Sequence, residues 1–417
     1  MMVVAPESVI GLPREVAFGL LEPITAGTSD QERTLAWIIW SHLTEPGDML
    51  AGALLQAIGP VAAIRVLRLQ HPAREITKLL SGLAENAGDE SQRDVAALES
   101  EYAEACKRWS ARDNNMAVVR SLKIWARLGG QIVTPDDVDW PRALEALGAG
   151  TPHVLWLRGN RASLAELETA ISIVGSRNVS SYGQYCAQTL AERLVAEGYL
   201  VVSGGAYGVD AEAHRGALSA RGVTIAVLAG GADRLYPAGN SELLRQVMHG
   251  GCLLAEQPPG HAPTRWRFLQ RNRLIAALGQ ATVVVEMAVK SGAKNTMHHA
   301  LGMGREVYAV PGSLLAQTAR GCNVAIAEGK AKIVTAFDEL INDLRDIPYS
   351  LGTEFELTAL QQRVLDALHG QPITVNRAGL KAGTTASETM RALGELQALG
   401  FAIESRGGWR KELSGSA

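Results

Sequence analysis

The chain has 417 residues, a length sufficient for two or three domains of about 100–200 residues each. Its hydrophobic content of 47% is that of a globular protein, and its net charge of −3 excludes a global positive field, so nucleic-acid binding would require a local basic patch. Four scattered cysteines without a C-x-x-C pair, no secretory leader and no run of about 18 apolar residues predict a cytoplasmic protein without disulfides, zinc sites or membrane contact.

Residues 1–115 predict a helical domain. Apolar positions recur at helical spacing in three segments, Leu35–Trp40, Met49–Ile58 and Val61–Leu69. A charged helix is predicted over 89–109. The Gly59-Pro60 turn between two of these helices resembles helix-hairpin-helix or SAM-like modules that contact DNA backbones, and it fits a plain helix-capping turn equally well.

Residues 116–340 predict a Rossmann-like domain. A connecting segment over 118–160 contains a short strand, Val154–Gly159. From residue 170 onward, short strands rich in Val, Ile and Leu alternate with helical segments. These strands are Ile171–Gly175, Tyr199–Ser203, Val223–Ala229, Cys252–Ala255, Thr282–Met287 and Glu306–Val310. The alternation predicts an α/β fold with a doubly wound parallel sheet that helices cover on both faces.

The residues after 340 predict a linker and a small C-terminal domain. The linker is the acidic, proline-containing stretch over 341–357. Within 358–417, helices are predicted over Leu360–His369 and Thr384–Leu399, and a hairpin follows with its turn at Gly407-Gly408. Helices followed by a β-hairpin are typical of a winged-helix domain.

The most informative segment of the chain is an arginine cluster at 265–273. Its four arginines are Arg265, Arg267, Arg271 and Arg273, on a helix whose other residues are largely apolar. Guanidinium groups match phosphate oxygens, and the aromatic rings of Trp266 and Phe268 suit single-stranded nucleic acid, whose bases are free to stack. The alternative interpretation is a solvated helix face with salt bridges.

Polar or glycine-rich residues follow each predicted strand of the Rossmann-like domain. These loops are Gly175–Asn178, Gly204–Asp210, Gly230–Asp233, Glu256–Gly260, Ser291–Thr296 and Pro311–Ser313. In open parallel sheets, ligands bind beyond the carboxyl ends of the strands, and glycines let backbone N–H groups approach an anion closely. Two of the loops carry cations, Arg177 and Lys294. The sequence therefore predicts an anion-binding crevice at this edge.

Motifs for other ligands are missing. Neither G-x-G-x-x-G nor G-x-x-x-x-G-K-[ST] follows a predicted strand, so no dinucleotide or nucleotide cofactor is predicted. His214 lies four residues after Asp210, where a carboxylate could orient an imidazole; a buried, hydrogen-bonded histidine is the alternative. His298 and His299 predict a surface pair, and no third ligand at metal spacing accompanies them.

Many motifs of the central region occur in one order that is shared with a known family. They are Gly175–Arg177, Val201–Gly205, Gly208–Asp210, Ala213-His214, Thr224–Leu228, Tyr236-Pro237, Asn240, Glu256, Arg271–Ala276, Ser291-Gly292, Asn295-Thr296 and Ala309–Gly312. In these motifs the chain resembles the bacterial DNA-processing protein A family, also called DprA or Smf. The match is dense over about 170–335, and Trp140-Pro141 and Leu155–Gly159 resemble its actinobacterial members.

The resemblance implies a protein that binds and protects incoming single-stranded DNA and helps to load RecA during natural transformation. Members commonly form dimers and have no established catalytic activity. By motif position, the arginines would contact phosphates and Phe268 would stack on a base. The DNA-binding residues implied are Gly175, Ser176, Arg177, Gly204, Tyr207, Arg265, Phe268, Arg271, Asn272, Arg273 and Lys294.

The chain departs from the family pattern at three positions. Tyr207 stands where an arginine is usual, which removes a charge but leaves a ring able to stack. Leu269 replaces the usual proline after Phe268. Lys294 stands where an apolar residue is usual, and its charge could replace the one missing at Tyr207.

Two other functions are alternatives to a non-catalytic DNA-binding mediator. Enzymes of the lysine-decarboxylase-like or phosphoribohydrolase type have a P-G-G-x-G-T-x-x-E motif, and Ser291–Thr296 lacks its glutamate. A sequence-specific regulator would read duplex DNA through the helix Thr384–Leu399, which has only Arg391 as a cation beside Glu388 and Glu395. The C-terminal unit is therefore predicted to contact protein, or duplex DNA weakly.

Overall fold

The computed structural model of the chain describes most of the sequence. The described residues are 8–9, 12–25, 30–69, 76, 95–289, 291–345, 347, 359–369, 371–398, 401–405 and 407–411. They form two compact units, one before residue 350 and one after it. The N-terminal helices and the sheet share the first unit, and the domain limits drawn from the sequence at 115, 340 and 357 stay predictions.

The N-terminal region is helical, as predicted. Its elements are β1 (Ser8–Val9), β2 (Leu12–Pro13), α1 (Arg14–Gly19), α2 (Gln31–Leu43), α3 (Met49–Arg68), α4 (Val95–Arg112) and α5 (Asn115–Arg127). The carboxylates of Asp30 and Asp48 cap α2 and α3 by accepting hydrogen bonds from backbone N–H groups. Trp40 and Trp109 pack edge to face, with ring centroids 5.3 Å apart.

Helix α3 is long and apolar enough, by length and composition, to cross a membrane. Its backbone is broken at Gly59, where φ is +75°, so the helix consists of the segments Met49–Ile58 and Pro60–Arg68. A helix of about ten residues spans roughly 15 Å, half of a bilayer core. Leu54 and Ala63, one from each segment, are fully buried in the helical core. The Gly59-Pro60 turn is thus a kink, and its likeness to DNA-contacting modules stays a prediction.

The centre of the first unit is a nine-stranded sheet. Its strands are β3 (Gln131–Val133), β4 (Leu155–Gly159), β5 (Ala170–Val174), β6 (Leu200–Ser203), β7 (Thr224–Leu228), β8 (Cys252–Ala255), β9 (Ala281–Val284), β10 (Glu306–Ala309) and β11 (Lys332–Ile333). Their order is β11-β10-β9-β5-β6-β7-β8-β4-β3. The strands from β11 to β8 are parallel, which confirms the predicted doubly wound sheet.

The segment predicted as a connection over 118–160 instead extends the sheet. Strand β4 pairs antiparallel with β8, with Trp156 opposite Ala255, and β3 pairs antiparallel with β4. The indole of Trp156 packs edge to face on Trp125 of α5, with ring centroids 5.6 Å apart. The helical region and the sheet therefore share one continuous core.

Helices cover both faces of the sheet. They are α6 (Ser181–Ala196), α7 (Val209–Ser219), α8 (Ser241–Gly250), α9 (Arg265–Leu278), α10 (Gly292–Gly302), α11 (Arg320–Ala327) and α12 (Phe337–Arg345). Helices α9, α10 and α11 bury their apolar side chains in one core, and α6, α7 and α12 do so in another. Since α9 follows β8 and precedes β9, it crosses beneath β7, β6 and β5 and carries the arginine cluster to their carboxyl ends.

The second unit contains three helices and a hairpin among its described residues. They are α13 (Ala359–Ala367), α14 (Val375–Ala382), α15 (Ala386–Ala398), β12 (Ala402–Ser405) and β13 (Gly408–Lys411). The sequence predicted α13, α15 and the hairpin and missed α14. Val364, Leu393 and Trp409 belong to its separate core. The assignment to the winged-helix class stays a prediction.

Candidate functional site

An exposed arginine and two aromatic rings meet at the carboxyl edge of the sheet. The guanidinium carbon of Arg177, in the loop after β5, lies 4.7 Å from the ring centroid of Phe268 in the first turn of α9. Tyr236, in the loop after β7, packs on the same ring at a centroid distance of 5.8 Å. Arg177, Phe268 and Tyr236 are called the platform below. A cation over an aromatic face holds both groups in place and leaves further donors free.

A cleft beside the platform lies where β6 and β7 end. Its volume is about 170 Å³, below the roughly 300–1,000 Å³ of pockets that enclose drug-sized ligands. Tyr207 is at its rim, where the sequence predicted it, and is half exposed; its hydroxyl oxygen accepts a hydrogen bond from the N–H of Gly239 at 3.2 Å. The residues that line the cleft include Arg177, Gly204, Ala206, Tyr207, Gly230, Gly231, Arg234, Tyr236, Pro237 and Phe268.

Close backbone packing fixes the loops at this edge. Gly208 has φ +78°, and a Cβ atom there would lie 2.2 Å from the carbonyl oxygen of Ser176. The same loop donates a hydrogen bond from the N–H of Val209 to that oxygen. Gly175 is confined in the same way, because a Cβ atom would meet Val209 at 2.6 Å. The loops after β5 and β6 are therefore one packed surface rather than two independent turns.

Arg271 lies beneath this surface rather than on it. Its side chain is buried, and its Nη1 donates hydrogen bonds to the carbonyl oxygens of Gly204 at 2.7 Å and Val227 at 2.6 Å. Burial lowers the pKa of Arg271 to about 10, so it stays charged at neutral pH. Burial also raises the pKa of the Asp210 carboxyl, a rise that Arg271 opposes. One cation thus braces the ends of β6 and β7.

Asn272 and Arg273 are buried as well. Arg273 donates from Nη2 to both carboxylate oxygens of Glu256, at 2.5 and 2.7 Å. Glu256 is therefore the ion-pair partner of Arg273. Asn272 donates to the carbonyl oxygen of Gly292 and to the side chain of Asn295. These residues hold α9 to its neighbours.

The other two arginines of the cluster have different surroundings. Arg265 is exposed and has no ion pair among the described residues. Arg267 is only 13% exposed, and it donates from Nε and Nη2 to the two carboxylate oxygens of Glu45, in the loop between α2 and α3. Arg112 of α4 donates to the same carboxylate. Arg267 is therefore salt-bridged, as in the alternative interpretation, but it is largely buried rather than solvated, and Trp266 beside it is 56% exposed.

The remaining predicted site residues lie near the edge without lining the cleft. The hydroxyl of Ser176 donates to the carbonyl of Asn178, which closes the turn after β5. Lys294 is half-buried in the first turn of α10, two strands away from β6. The sequence missed Arg234 as a site residue, and it named Tyr236 only within a motif. The sequence did contain a signal for these two residues, because an aromatic residue and a cation stand close together in the loop after a predicted strand.

His214 has no place in the site. Its Nδ1 lies 2.7 Å from the hydroxyl of Thr224, and no hydrogen bond joins it to Asp210. Burial, together with the charge of Arg271, lowers its pKa to about 3. His214 is therefore a buried, hydrogen-bonded histidine, which is the alternative interpretation that the sequence allowed. Among the described residues no three His, Cys, Asp or Glu side chains could hold a metal ion together.

Several known proteins resemble the chain in sequence, and one solved structure resembles it in fold. The family model of DNA recombination-mediator protein A matches residues 131–345. A putative DNA processing protein DprA of Mycobacterium tuberculosis is 35% identical over 393 residues, which cover 90% of this chain and 93% of that protein. Protein Smf of Synechocystis is 33% identical over 308 residues, 73% of this chain and 74% of that protein. The X-ray structure of DNA processing protein A from Streptococcus pneumoniae is 25% identical and covers 76% of this chain and 99% of that chain, with a TM-score of 0.57.

Proposed function

Because the chain belongs to the DNA recombination-mediator protein A family, we propose that it binds single-stranded DNA at the carboxyl edge of its sheet. The observation that carries the proposal is the exposed Arg177 guanidinium over the Phe268 ring, with Tyr207 and Tyr236 beside it. Free bases stack on aromatic rings regardless of their sequence, and a cation beside the ring contacts the phosphate. A duplex hides both faces of its bases, so single strands should bind more tightly.

The proposal divides the predicted residues into three roles. Arg177, Tyr207, Arg265, Phe268 and Lys294 contact the strand through their side chains. Backbone groups of Gly175, Ser176 and Gly204 allow its close approach. Arg271, Asn272 and Arg273 position the loops and α9, because their side chains are engaged inside the protein.

The proposed role in the cell is that of a mediator, in keeping with the description of the family. We propose that the protein acts in the cytoplasm, protects single-stranded DNA, delivers it to RecA and catalyses no reaction itself. We also propose a homodimer. Four exposed apolar side chains near the end of the sheet support it, Leu314, Leu315, Val324 and Ile333.

The test is a binding titration by fluorescence anisotropy, with a single strand and the matching blunt duplex at several salt concentrations. The single strand should bind more tightly, and log K should fall with log salt at roughly −0.7 per phosphate neutralised. Arg177→Ala should weaken binding and flatten this slope by roughly 0.7. Salt-independent binding, or equal affinity for the duplex, would contradict the proposal.

Arg193 offers a matched control for Arg177. It also lies over a phenylalanine ring, that of Phe337, and it pairs with Asp338 near the C-terminal end of α6, away from the cleft. Arg193→Ala should leave DNA affinity and the salt slope unchanged. An equal loss in both variants would point to the overall charge rather than to the platform.

A further inference from the structure

The carboxyl edge of the sheet continues beyond the cleft. The loops after β7, β6, β5, β9 and β10 follow one another along it, and the platform and cleft use only the first three. Adjacent strands lie about 4.8 Å apart, so about 19 Å of edge separates β7 from β10. A strand of several nucleotides that leaves the platform toward β10 would therefore pass over further surface.

The chain segment after Arg177 crosses the far part of this edge. Ser180 donates hydrogen bonds from its N–H and its hydroxyl to the carboxylate of Glu286, in the loop after β9. The hydroxyl of Tyr182 donates to the carbonyl oxygen of Pro311, after β10, at 3.0 Å. The Tyr182 side chain therefore lies across the ends of β9 and β10, and it is 50% exposed.

A cation lies on the same part of the edge. Arg320 begins α11 and is exposed, and among the described residues it has no ion pair or side-chain hydrogen bond. The next residue, Gly321, donates from its N–H to the carbonyl oxygen of Met287 at 2.7 Å, which places the start of α11 against the loop after β9. The nearby carboxylate of Glu286 is buried and accepts hydrogen bonds from Ser180 and Thr318. This part of the edge thus presents a ring and a cation to solvent.

We propose that a DNA strand held at the platform continues over Tyr182, which stacks on a further base, and that Arg320 contacts a phosphate there. This extension, called the track, rests on the proposed binding of single-stranded DNA. Two features favour a nucleic acid over a protein partner. The track is continuous with the platform through the segment from Arg177 to Tyr182, and it also carries an exposed aromatic ring, Tyr182, and an exposed arginine, Arg320.

The experiment compares oligothymidylates of about 4 and about 12 nucleotides, the short and longer ends of common single-strand site sizes. Tyr182→Ala should weaken binding of the longer strand by roughly 5- to 150-fold, the ratio that corresponds to about 1–3 kcal/mol for one stacked base. The short strand, which fits on the platform, should change by less than about twofold. Arg320→Ala should flatten the salt slope of the longer strand by roughly 0.7 and leave that of the short strand unchanged.

Tyr185 provides the matched control. It lies one turn further along α6 and is 64% exposed, so Tyr185→Ala removes an exposed ring away from the edge and should leave both strands unaffected. Tyr182→Phe retains the ring, loses the hydrogen bond to Pro311 and should bind like the wild type. Thermal melting identifies variants that are unfolded, and if Tyr182→Ala is among them, the salt slope of Arg320→Ala decides.

The outcomes separate the track from the proposed function. Wild-type protein that binds neither strand overturns both. If the wild-type protein binds both strands, and Tyr182→Ala binds them as tightly as Tyr185→Ala does, the track is wrong and the proposed function stands. An equal loss for the two lengths also overturns the track, because Tyr182 would then act at the platform.

Discussion

Phe268 lies close to two guanidinium groups, one exposed to solvent and one buried. The guanidinium of Arg177 is exposed and 4.7 Å from the ring centroid, whereas that of Arg271 is buried and 6.0 Å away. The buried group is hydrogen-bonded to the carbonyl oxygens at the ends of β6 and β7, so it joins the two strand ends beneath the cleft. The exposed group is the one with donors available to a phosphate.

This difference predicts distinct effects for the two substitutions. Arg271→Ala removes two charge-assisted hydrogen bonds, which contribute about 1.5–3 kcal/mol each, and removes the charge that most opposes the rise in the pKa of the buried Asp210. The free energy of unfolding, measured by urea denaturation, should fall by about 3 kcal/mol or more. Arg177→Ala should leave it within about 0.5 kcal/mol of the wild type, as for most surface substitutions. If Arg271→Ala proved as stable as the wild type, the bracing role would be wrong.

The sequence could place these residues on one edge but could not say which are exposed. Arg177, Tyr207 and Phe268 line the cleft at the predicted end of the strands, because parallel strands bring their carboxyl ends together. The burial of Arg271 depends on Gly204 and Val227, which lie 67 and 44 residues away in the chain. No local pattern encodes such contacts. The run of arginines on one helix therefore predicted an exposed basic surface. Two of the four arginines are instead buried inside the protein.

At the scale of elements, the central strands could be predicted because they repeat one sequence pattern. Several elements that lack this pattern were not predicted. Strands β5 to β10 are short apolar runs between helices, which is the pattern of a buried parallel strand. Strand β11 has only two residues, and β3 has three, so neither has a period to detect. Helix α14 is eight residues long and contains Gly379. Strand β4 runs antiparallel because it pairs with β8, which lies almost a hundred residues later in the chain. The local sequence of β4 does not contain this information.

The helical region controls one arginine of the cluster through the loop between α2 and α3. Glu45 there binds Arg267, next to Phe268, and Arg112 of α4. Glu45→Gln removes the charge that holds Arg267. If the freed side chain reaches a phosphate, the salt slope of DNA binding should steepen by roughly 0.7. The double variant Glu45→Gln/Arg267→Ala should return to the wild-type slope. Identical slopes in the wild type, the single variant and the double variant would show that Glu45 does not withhold Arg267 from DNA.

The carboxyl group of Glu45 also gives this contact a pH dependence. Burial raises its pKa, and the hydrogen bond from Arg267, with the charges of Arg267 and Arg112, lowers it further than burial raises it. A carboxyl group whose pKa is lowered by folding stabilises the folded state at any pH above its ordinary pKa. This stabilisation is lost as the pH falls through the lowered pKa. The contact between the helical region and α9 should therefore persist at neutral pH and weaken only in acid.

At the scale of the whole molecule, the two ends of the sheet differ. At one end, β3 is covered, since the N–H of Ile132 donates to the carbonyl oxygen of Ile24. At the other end, β11 is the last strand, and Ile333 on it is 48% exposed. Leu315 and Val324 add exposed apolar area near this end. Exposed edges with apolar side chains favour pairing with another chain, and a two-fold axis closes such a pair.

We therefore expect the proposed homodimer to form through this end of the sheet. The double variant Val324→Glu/Ile333→Glu should sediment as a monomer in analytical ultracentrifugation, because like charges would face each other across a two-fold axis. Val138→Glu is the matched control: Val138 is 97% exposed, lies in the turn after β3 at the opposite end, and should leave the dimer intact. A dimer carries two platforms, so loss of dimerisation should weaken long strands, which can reach both, and spare short ones. A wild-type monomer, or a double variant that stays dimeric, would place the interface elsewhere or remove it.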